Sequence, residues 1–190
     1  MLLETRNLNV RTYLSPREFV NAPRLERPSC AIVDLNMPEL SGLDVQQALA
    51  ARGISIPLIF ISGHGDVESA VVAMRNGACD FLTKPFDTIE ILDRIDQCLK
   101  ADAEELSLME SRKELAQRLE TLTPREREVF GHLIQGLPVK KIGLQLGISH
   151  RTAEKHRDRI LKKMQAGNVV NLLQMAVTLR LVTASTDPPV

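Results

Sequence analysis

CAIVDLNMPELSG, Cys30 to Gly42, runs from an apolar stretch through one carboxylate, Asp34, into a turn-like segment and then an amphipathic pattern. Ala31–Leu35 has the apolar, partly β-branched character of a strand, and Gly42–Ala51 carries its apolar residues at helical spacing. Ser41 is a good N-cap with Asp44 three residues on. Asp34 therefore stands where a strand meets a loop. It is either a plain turn residue or a nucleophile. A nucleophile that handles phosphate needs a metal, and the metal needs further carboxylates.

Outward from this unit the alternation continues. Val10–Leu14 reads as a short strand and Pro16–Val20 as a helix start. Pro57–Ser62 is a strand, Asp66–Asn76 a helix stopped by Asn76-Gly77, Asp80–Lys84 a strand, and a helix begins near Asp87. Gly63 and Gly65 punctuate the end of the strand before them. Strands alternating with helices imply an α/β domain with a parallel, flavodoxin-like sheet covered on both faces. The unbroken apolar runs Ala31–Val33 and Leu58–Ile61 fit strands buried on both sides.

From Asp87 to about Glu120 no strong helix breaker occurs. Leu92, Ile95, Leu99, Leu106 and Met109 keep helical spacing, and Asp102 interrupts their seam. This reads as a helix that leaves the first domain and continues as a solvated linker. Beyond Leu122 the pattern is all-helical, over Pro124–Gln135, Val139–Gly147, Ser149–Met164 and Asn168–Leu181. Thr123-Pro124-Arg125-Glu126 is a capping box with proline at the first helical position. The expected layout is a first domain over 1–100, a helical linker over 101–120, a helix-turn-helix domain over 121–182 and a flexible polar tail over 183–190.

Composition bounds the function classes. With 190 residues, 44% hydrophobic and 25% charged, the chain is an ordinary globular protein and not a disordered one. Its apolar runs are too short to span a bilayer, and Glu4 and Arg6 interrupt any signal-peptide core. Cys30, Cys79 and Cys98 are odd in number and set among apolar residues, which favours reduced, buried thiols in a cytoplasm. Net charge is zero but unevenly placed. Thr123–Arg180 holds eleven Lys/Arg against four Asp/Glu, whereas residues 1–100 hold ten against thirteen. A basic C-terminal module suggests a polyanion-binding end.

In a parallel sheet with right-handed crossovers all strand carboxyl ends open on one edge. Asp34, Ser62 and Lys84 should converge there, with Phe81 inside the last strand. Singly, each has a bland reading as turn residue, cap or solvated strand end. Together, an aspartate nucleophile, a hydroxyl donor and a lysine charge are what an acyl-phosphate requires.

AIVDLNMPELSG, LIFISGHGD and GACDFLTKPF, with the later LTPREREVF and GISHRTAEKHRDRILKKM, resemble a two-domain bacterial response regulator of the LuxR/FixJ type. The resemblance covers nearly the whole chain. It implies that Asp34 accepts phosphate from a sensor histidine kinase and that Asn36 supplies a backbone carbonyl to Mg²⁺. It further implies that Ser62 and Lys84 hold phosphoryl oxygens, that Phe81 is the switch aromatic and that Lys84-Pro85 is cis. Phosphorylation in such proteins repacks the face about Asp66–Lys84 and drives dimerisation. One departure stands out: the family's first strand, with its two metal-binding acidic residues, has no counterpart. Glu4 lies too far along to replace them, so the Mg²⁺ site is incomplete and the strand at Ala31 is expected to present an unpaired edge.

VKKIGLQLGISHRTAEKHRDRILKKM reads as helix, tight turn at Gly147, helix, with Ile142, Leu146, Ile148, Ala153, Ile160, Leu161 and Met164 buried. A recognition helix needs cations for phosphates and mixed polar groups for base edges. The resemblance places Glu154, Lys155 and Asp158 against bases, and Arg151, Thr152, His156, Arg159 and Lys163 against the DNA backbone. Gly143 and Ala153 stand where the family carries alanine and valine, which is expected to loosen packing. Val169, Val170, Leu173 and Val177 on the final helix correspond to a dimer face.

The resulting expectation is a cytoplasmic, non-enzymatic transcription regulator. Its partners are double-stranded DNA, a sensor histidine kinase, a second copy and RNA polymerase, with no membrane. The alternative keeps DNA binding but makes the first domain a phosphorylation-independent interaction module. An aspartate-nucleophile phosphatase ranks last, because Asn36 stands where its second carboxylate belongs.

Overall fold

The computed structural model describes residues 8–22, 26–63 and 67–182. Glu4, Gly65, Asp66 and the tail over 183–190 lie outside the described residues. The chain forms two compact units, Met1–Ser107 and Leu108–Val190.

The first unit carries α1 (Pro16–Asn21), β1 (Ala31–Asp34), α2 (Gly42–Ala51), β2 (Leu58–Ser62), α3 (Val67–Arg75), β3 (Asp80–Thr83) and the first half of α4 (Thr88–Glu120). The three strands are parallel in the order β1-β2-β3. Alternate residues feed two cores. On one face Val33, Leu35, Leu58 and Phe60 pack with Val45, Leu49 and Ala73 of the helices. On the other, Ile59 and Leu82 pack with Ile91, Ile95 and Cys98 of α4. Strands buried on both sides must be apolar throughout, which is why LIFIS reads as a continuous run.

Ser41 caps α2 as expected: its hydroxyl accepts from the Asp44 amide, and the Asp44 carboxylate accepts from the Ser41 amide at 2.8 Å. Gly42 permits a close approach at this helix start. A Cβ there would stand 2.9 Å from the Asp34 carbonyl oxygen and 2.9 Å from the Phe60 ring.

Two readings of this half need correction. Val10–Leu14 is not a strand. Among the described residues nothing pairs with the outer edge of β1, so this segment has no ladder to join. It lies instead along a cavity of about 790 Å³, lined in part by Leu8, Val10, Tyr13, Ile32, Val33 and Leu99. The unpaired edge at Ala31 is as anticipated. The cysteines are also not all reduced: Cys79 and Cys98 form a disulfide, leaving Cys30 as a free thiol. Sequence separation hid the pair, because 19 residues place Cys79 before β3 and Cys98 on the helix that covers it.

Asp102 interrupts the apolar seam of α4, yet it is 1% exposed. Its carboxylate accepts from the Arg27 guanidinium and from the Ser29 amide at 2.8 Å, and Arg27 also reaches Glu105 at 2.9 Å. A buried carboxylate needs such partners. Seen this way, Ile91, Ile95, Cys98 and Asp102 form one docked face of α4 at helical spacing.

The second unit holds α5 (Pro124–Ile134), α6 (Val139–Gln145), α7 (His150–Met164) and α8 (Val169–Thr178). Val129, Phe130, Leu133, Ile142, Ile160, Met164 and Leu172 form its core. Gly143 does not loosen this packing. A Cβ there would lie 3.0 Å from the Ile148 carbonyl, so the glycine brings the α6–α7 turn close. Gly147 has φ +64°, the left-handed conformation the turn requires.

Candidate functional sites at the strand ends and on helix α7

The first site lies at the carboxyl ends of the three strands. Asp34 ends β1 opposite Ile61, Ser62 ends β2 opposite Thr83, and Lys84 follows directly. The Lys84 amide donates to the Ser62 carbonyl at 2.7 Å, extending the ladder by one residue. The Lys84–Pro85 bond is cis, as the resemblance implied. The Lys84 ammonium donates to Asp34 Oδ2 at 2.5 Å, and the Asn36 amide donates to Asp34 Oδ1 at 3.0 Å. Partial burial pushes the Asp34 carboxyl up. The Lys84 hydrogen bond, the Asn36 amide and the lysine charge outweigh it, and the group ionises below the ordinary carboxylate range. Ser62 is fully buried at the end of the central strand. Phe81 is half-buried and packs in the same core as Phe60, its register partner on β2. Gly42, which sets the distance of α2 from Asp34, was not singled out from sequence; its place directly after an N-cap was the available signal.

At this edge Asp34 is the carboxylate that Lys84 holds. No group of three or more His, Cys, Asp or Glu side chains able to hold a metal occurs among them. Mg²⁺ asks for an octahedral oxygen shell, and one carboxylate already paired with Lys84, plus the Asn36 carbonyl, does not provide it. Within the described residues the expected metal set of Asp34 and Asn36 therefore does not fit the ion.

The second site is α7. Ser149 accepts from the Thr152 amide at 3.1 Å, and its hydroxyl meets the Thr152 hydroxyl at 2.8 Å. Ala153, Ile160 and Met164 bury one stripe of the helix. Arg151, Thr152, Lys155, Asp158 and Arg159 are exposed, with Glu154 and His156 half-buried at the margin. Asp158 pairs with Arg157 at 2.8 Å, and Glu154 lies 3.8 Å from His150. His156 Nδ1 is buried with no hydrogen-bond partner.

Lys163, expected against the DNA backbone, has a partner within the protein: its ammonium donates to the Glu126 carboxylate at 2.6 Å and to the Thr121 carbonyl at 2.9 Å. Glu126 is 3% exposed and also completes the Thr123 capping box. Burial raises the Glu126 carboxyl, and Lys163 together with the Thr123 amide and hydroxyl pull it below the usual range. The resemblance placed this lysine at the end of α7 without revealing the buried acid on another helix.

A parallel α/β unit with Asp34, Ser62 and Lys84 at one edge, followed by a helical unit with a capped, cationic surface helix, defines a signal receiver joined to a DNA-binding module. Comparison with known proteins agrees. Residues 1–96 match the response regulator receiver domain, and residues 120–176 match the bacterial regulatory proteins of the luxR family. The chain is 39% identical to the response regulator protein TmoT of Ectopseudomonas mendocina, over 94% of this chain and 81% of that one. It is also 39% identical to the transcriptional regulatory protein FixJ of Azorhizobium caulinodans, over 93% and 83%. The solved structure of the response regulator StyR superposes with a TM-score of 0.79 at 36% identity, covering 93% of this chain and 89% of that one. The chain belongs to the two-component response regulators with a receiver domain and a LuxR-type DNA-binding domain.

Proposed function

We propose that this regulator binds double-stranded DNA through α7 and controls transcription in the cytoplasm in response to phosphorylation of Asp34 by a sensor histidine kinase. The observation that carries the DNA-binding part is the division of α7. One stripe is buried in the helical core, and the opposite face offers Arg151, Lys155 and Arg159 to solvent. On this reading Glu154, Lys155 and Asp158 approach base edges, while Arg151, Thr152, His156 and Arg159 line the sugar-phosphate wall. The Lys163 ammonium serves to hold α7 against the start of α5. Val170, Leu173 and Val177 leave apolar surface on α8, which supports a homodimer on DNA, with RNA polymerase as the further partner of the bound form.

At the strand ends Asp34 acts as phosphoryl acceptor. Lys84, already hydrogen-bonded to its carboxylate, passes to a phosphoryl oxygen, and Ser62 and Phe81 respond at the neighbouring strands. A second reading, an interaction module that works without phosphate, is favoured by the Asp34 carboxylate being already engaged by Lys84.

Selection of bound DNA from a random pool, with and without a small-molecule phosphodonor and Mg²⁺, tests both. Enrichment of one palindromic site supports DNA recognition, and its absence at low salt opposes it. An acyl-phosphate on Asp34 that tightens binding supports the phosphorylation switch. Equal binding with no acyl-phosphate supports the second reading.

A further inference from the structure

All three cysteines of the chain border one core cluster, between the sheet and α4. Cys79 lies immediately before β3, where its amide donates to the Leu58 carbonyl at 2.8 Å, and Cys98 lies on α4 with 6.3 Å between their Cα atoms. The next residue of β3, Asp80, pairs with Arg94 at 3.0 Å, one helical turn before Cys98. The disulfide thus ties the strand that leads to Phe81 and Lys84 to the docked face of α4.

The two sulfurs are not equally placed. Cys98 is fully buried, whereas Cys79 is partly exposed. Thiol–disulfide exchange needs a thiolate to reach one sulfur in line with the bond, and access decides which one it attacks. Cys30, the remaining thiol, is poorly suited to interfere. Burial first, and then the Asp102 carboxylate, push its thiol up to about 11, leaving little thiolate at neutral pH. A disulfide in a protein that works among cytoplasmic thiols is more often a reversible redox element than a permanent strut.

We propose that Cys79 is the reactive member of a thiol–disulfide switch in the receiver domain, a modification site for low-molecular-weight thiols of the glutathione class. In reduction, a glutathione thiolate attacks Cys79 Sγ, forming the mixed disulfide. The Cys98 sulfur leaves as a thiolate and takes a proton from water. A second glutathione thiolate attacks the glutathione sulfur, releasing oxidised glutathione and the Cys79 thiolate, which is then protonated. Two electrons pass from two glutathiones to the protein. The reverse sequence, with oxidised glutathione as oxidant, restores the bond. Closing it fastens α4 at Cys98, between the apolar contacts of Ile95 and the buried carboxylate of Asp102. Opening it leaves that face held by non-covalent contacts alone.

The full chain is equilibrated in buffers of reduced and oxidised glutathione, quenched in acid, alkylated under denaturing conditions and mapped by peptide mass. The oxidised form should expose one alkylatable thiol, Cys30, and the reduced form three. Early in reduction the mixed disulfide should sit on Cys79 at least about tenfold more than on Cys98. Cys98→Ser should collect one glutathione on Cys79, and Cys79→Ser should leave Cys98 unmodified. Amide exchange over 91–102 should be about tenfold slower in the oxidised wild type, a readout that requires no variant to fold. Three free thiols in every buffer, equal adducts on both cysteines, or identical exchange in the two states would overturn the proposal.

Discussion

Among the described residues, two lysine–carboxylate pairs of near-equal length stand in opposite settings. Lys84 and Asp34 meet at the open edge of a sheet with their side chains 42% and 32% exposed. Lys163 and Glu126 meet between α7 and α5 with the carboxylate side chain only 4% exposed. In water a lysine–carboxylate pair is nearly balanced by hydration and is easily exchanged for another partner. Once the carboxylate is buried, removing the lysine leaves a charge cut off from water with one partner fewer. The chemistry of the pair is the same; the burial of the acid decides whether it is a contact that can switch or a fastening.

The largest expected effect is therefore at Glu126. Glu126→Ala removes the capping box and leaves Lys163 without its acid, and it should lower the stability of the helical unit by about 2–4 kcal/mol. Urea unfolding of the full chain, followed through the C-terminal transition, measures this. A change below roughly 1 kcal/mol would show that the two pairs are alike after all.

Next come the α7 substitutions, which test the face that the Lys163 pairing orients. Lys155→Ala should cost about 1–3 kcal/mol on the selected site and relax preference at one base position. Arg159→Ala should weaken all sequences about equally and lower the salt slope by roughly one unit. Lys163→Ala should leave the slope unchanged. If its slope falls as for Arg159→Ala, the ammonium reaches phosphate and the inward pairing does not persist on DNA.

The smallest stability effect belongs to Asp34→Asn, expected below about 1 kcal/mol because the pair is exposed. Acid sharpens the same contrast. Both carboxyls ionise below their ordinary values in the folded chain, so each contributes stability above its unfolded pKa that is lost as pH falls through the lower folded value. The loss should begin below about pH 4, near the unfolded carboxylate values, and be steeper for the helical unit. Glu126→Gln should flatten that acid limb, and Asp34→Asn should barely alter it. Equal flattening by both substitutions would erase the distinction drawn from burial.

Local signals carried most of the fold. Ser41 with Asp44 and Thr123 with Glu126 announced helix starts that the structure reproduces as reciprocal caps. The strands at Ala31, Leu58 and Asp80 begin within a residue of their sequence signals. Val10–Leu14 failed because a strand exists only with a neighbour, and an apolar run says nothing about whether one is present. Asp102 was legible as an interruption but not as a buried ion pair, since Arg27 lies 75 residues away. The cysteine pair and the Glu126–Lys163 contact were lost the same way, each depending on two segments that meet only after folding. Asp34, Ser62 and Lys84 were legible because a parallel sheet sends every carboxyl end to one edge, which makes position along the strand a statement about three-dimensional place.

Gly42 has a consequence for how this protein can change over generations. The start of α2 rests against the Asp34 carbonyl and the Phe60 ring with no room for a single methyl group. A substitution there would lift the helix from the strand end and shift the segment that carries Asn36, without touching any charged group. In a library of single variants screened for function, position 42 should thus be nearly empty of survivors for want of space alone.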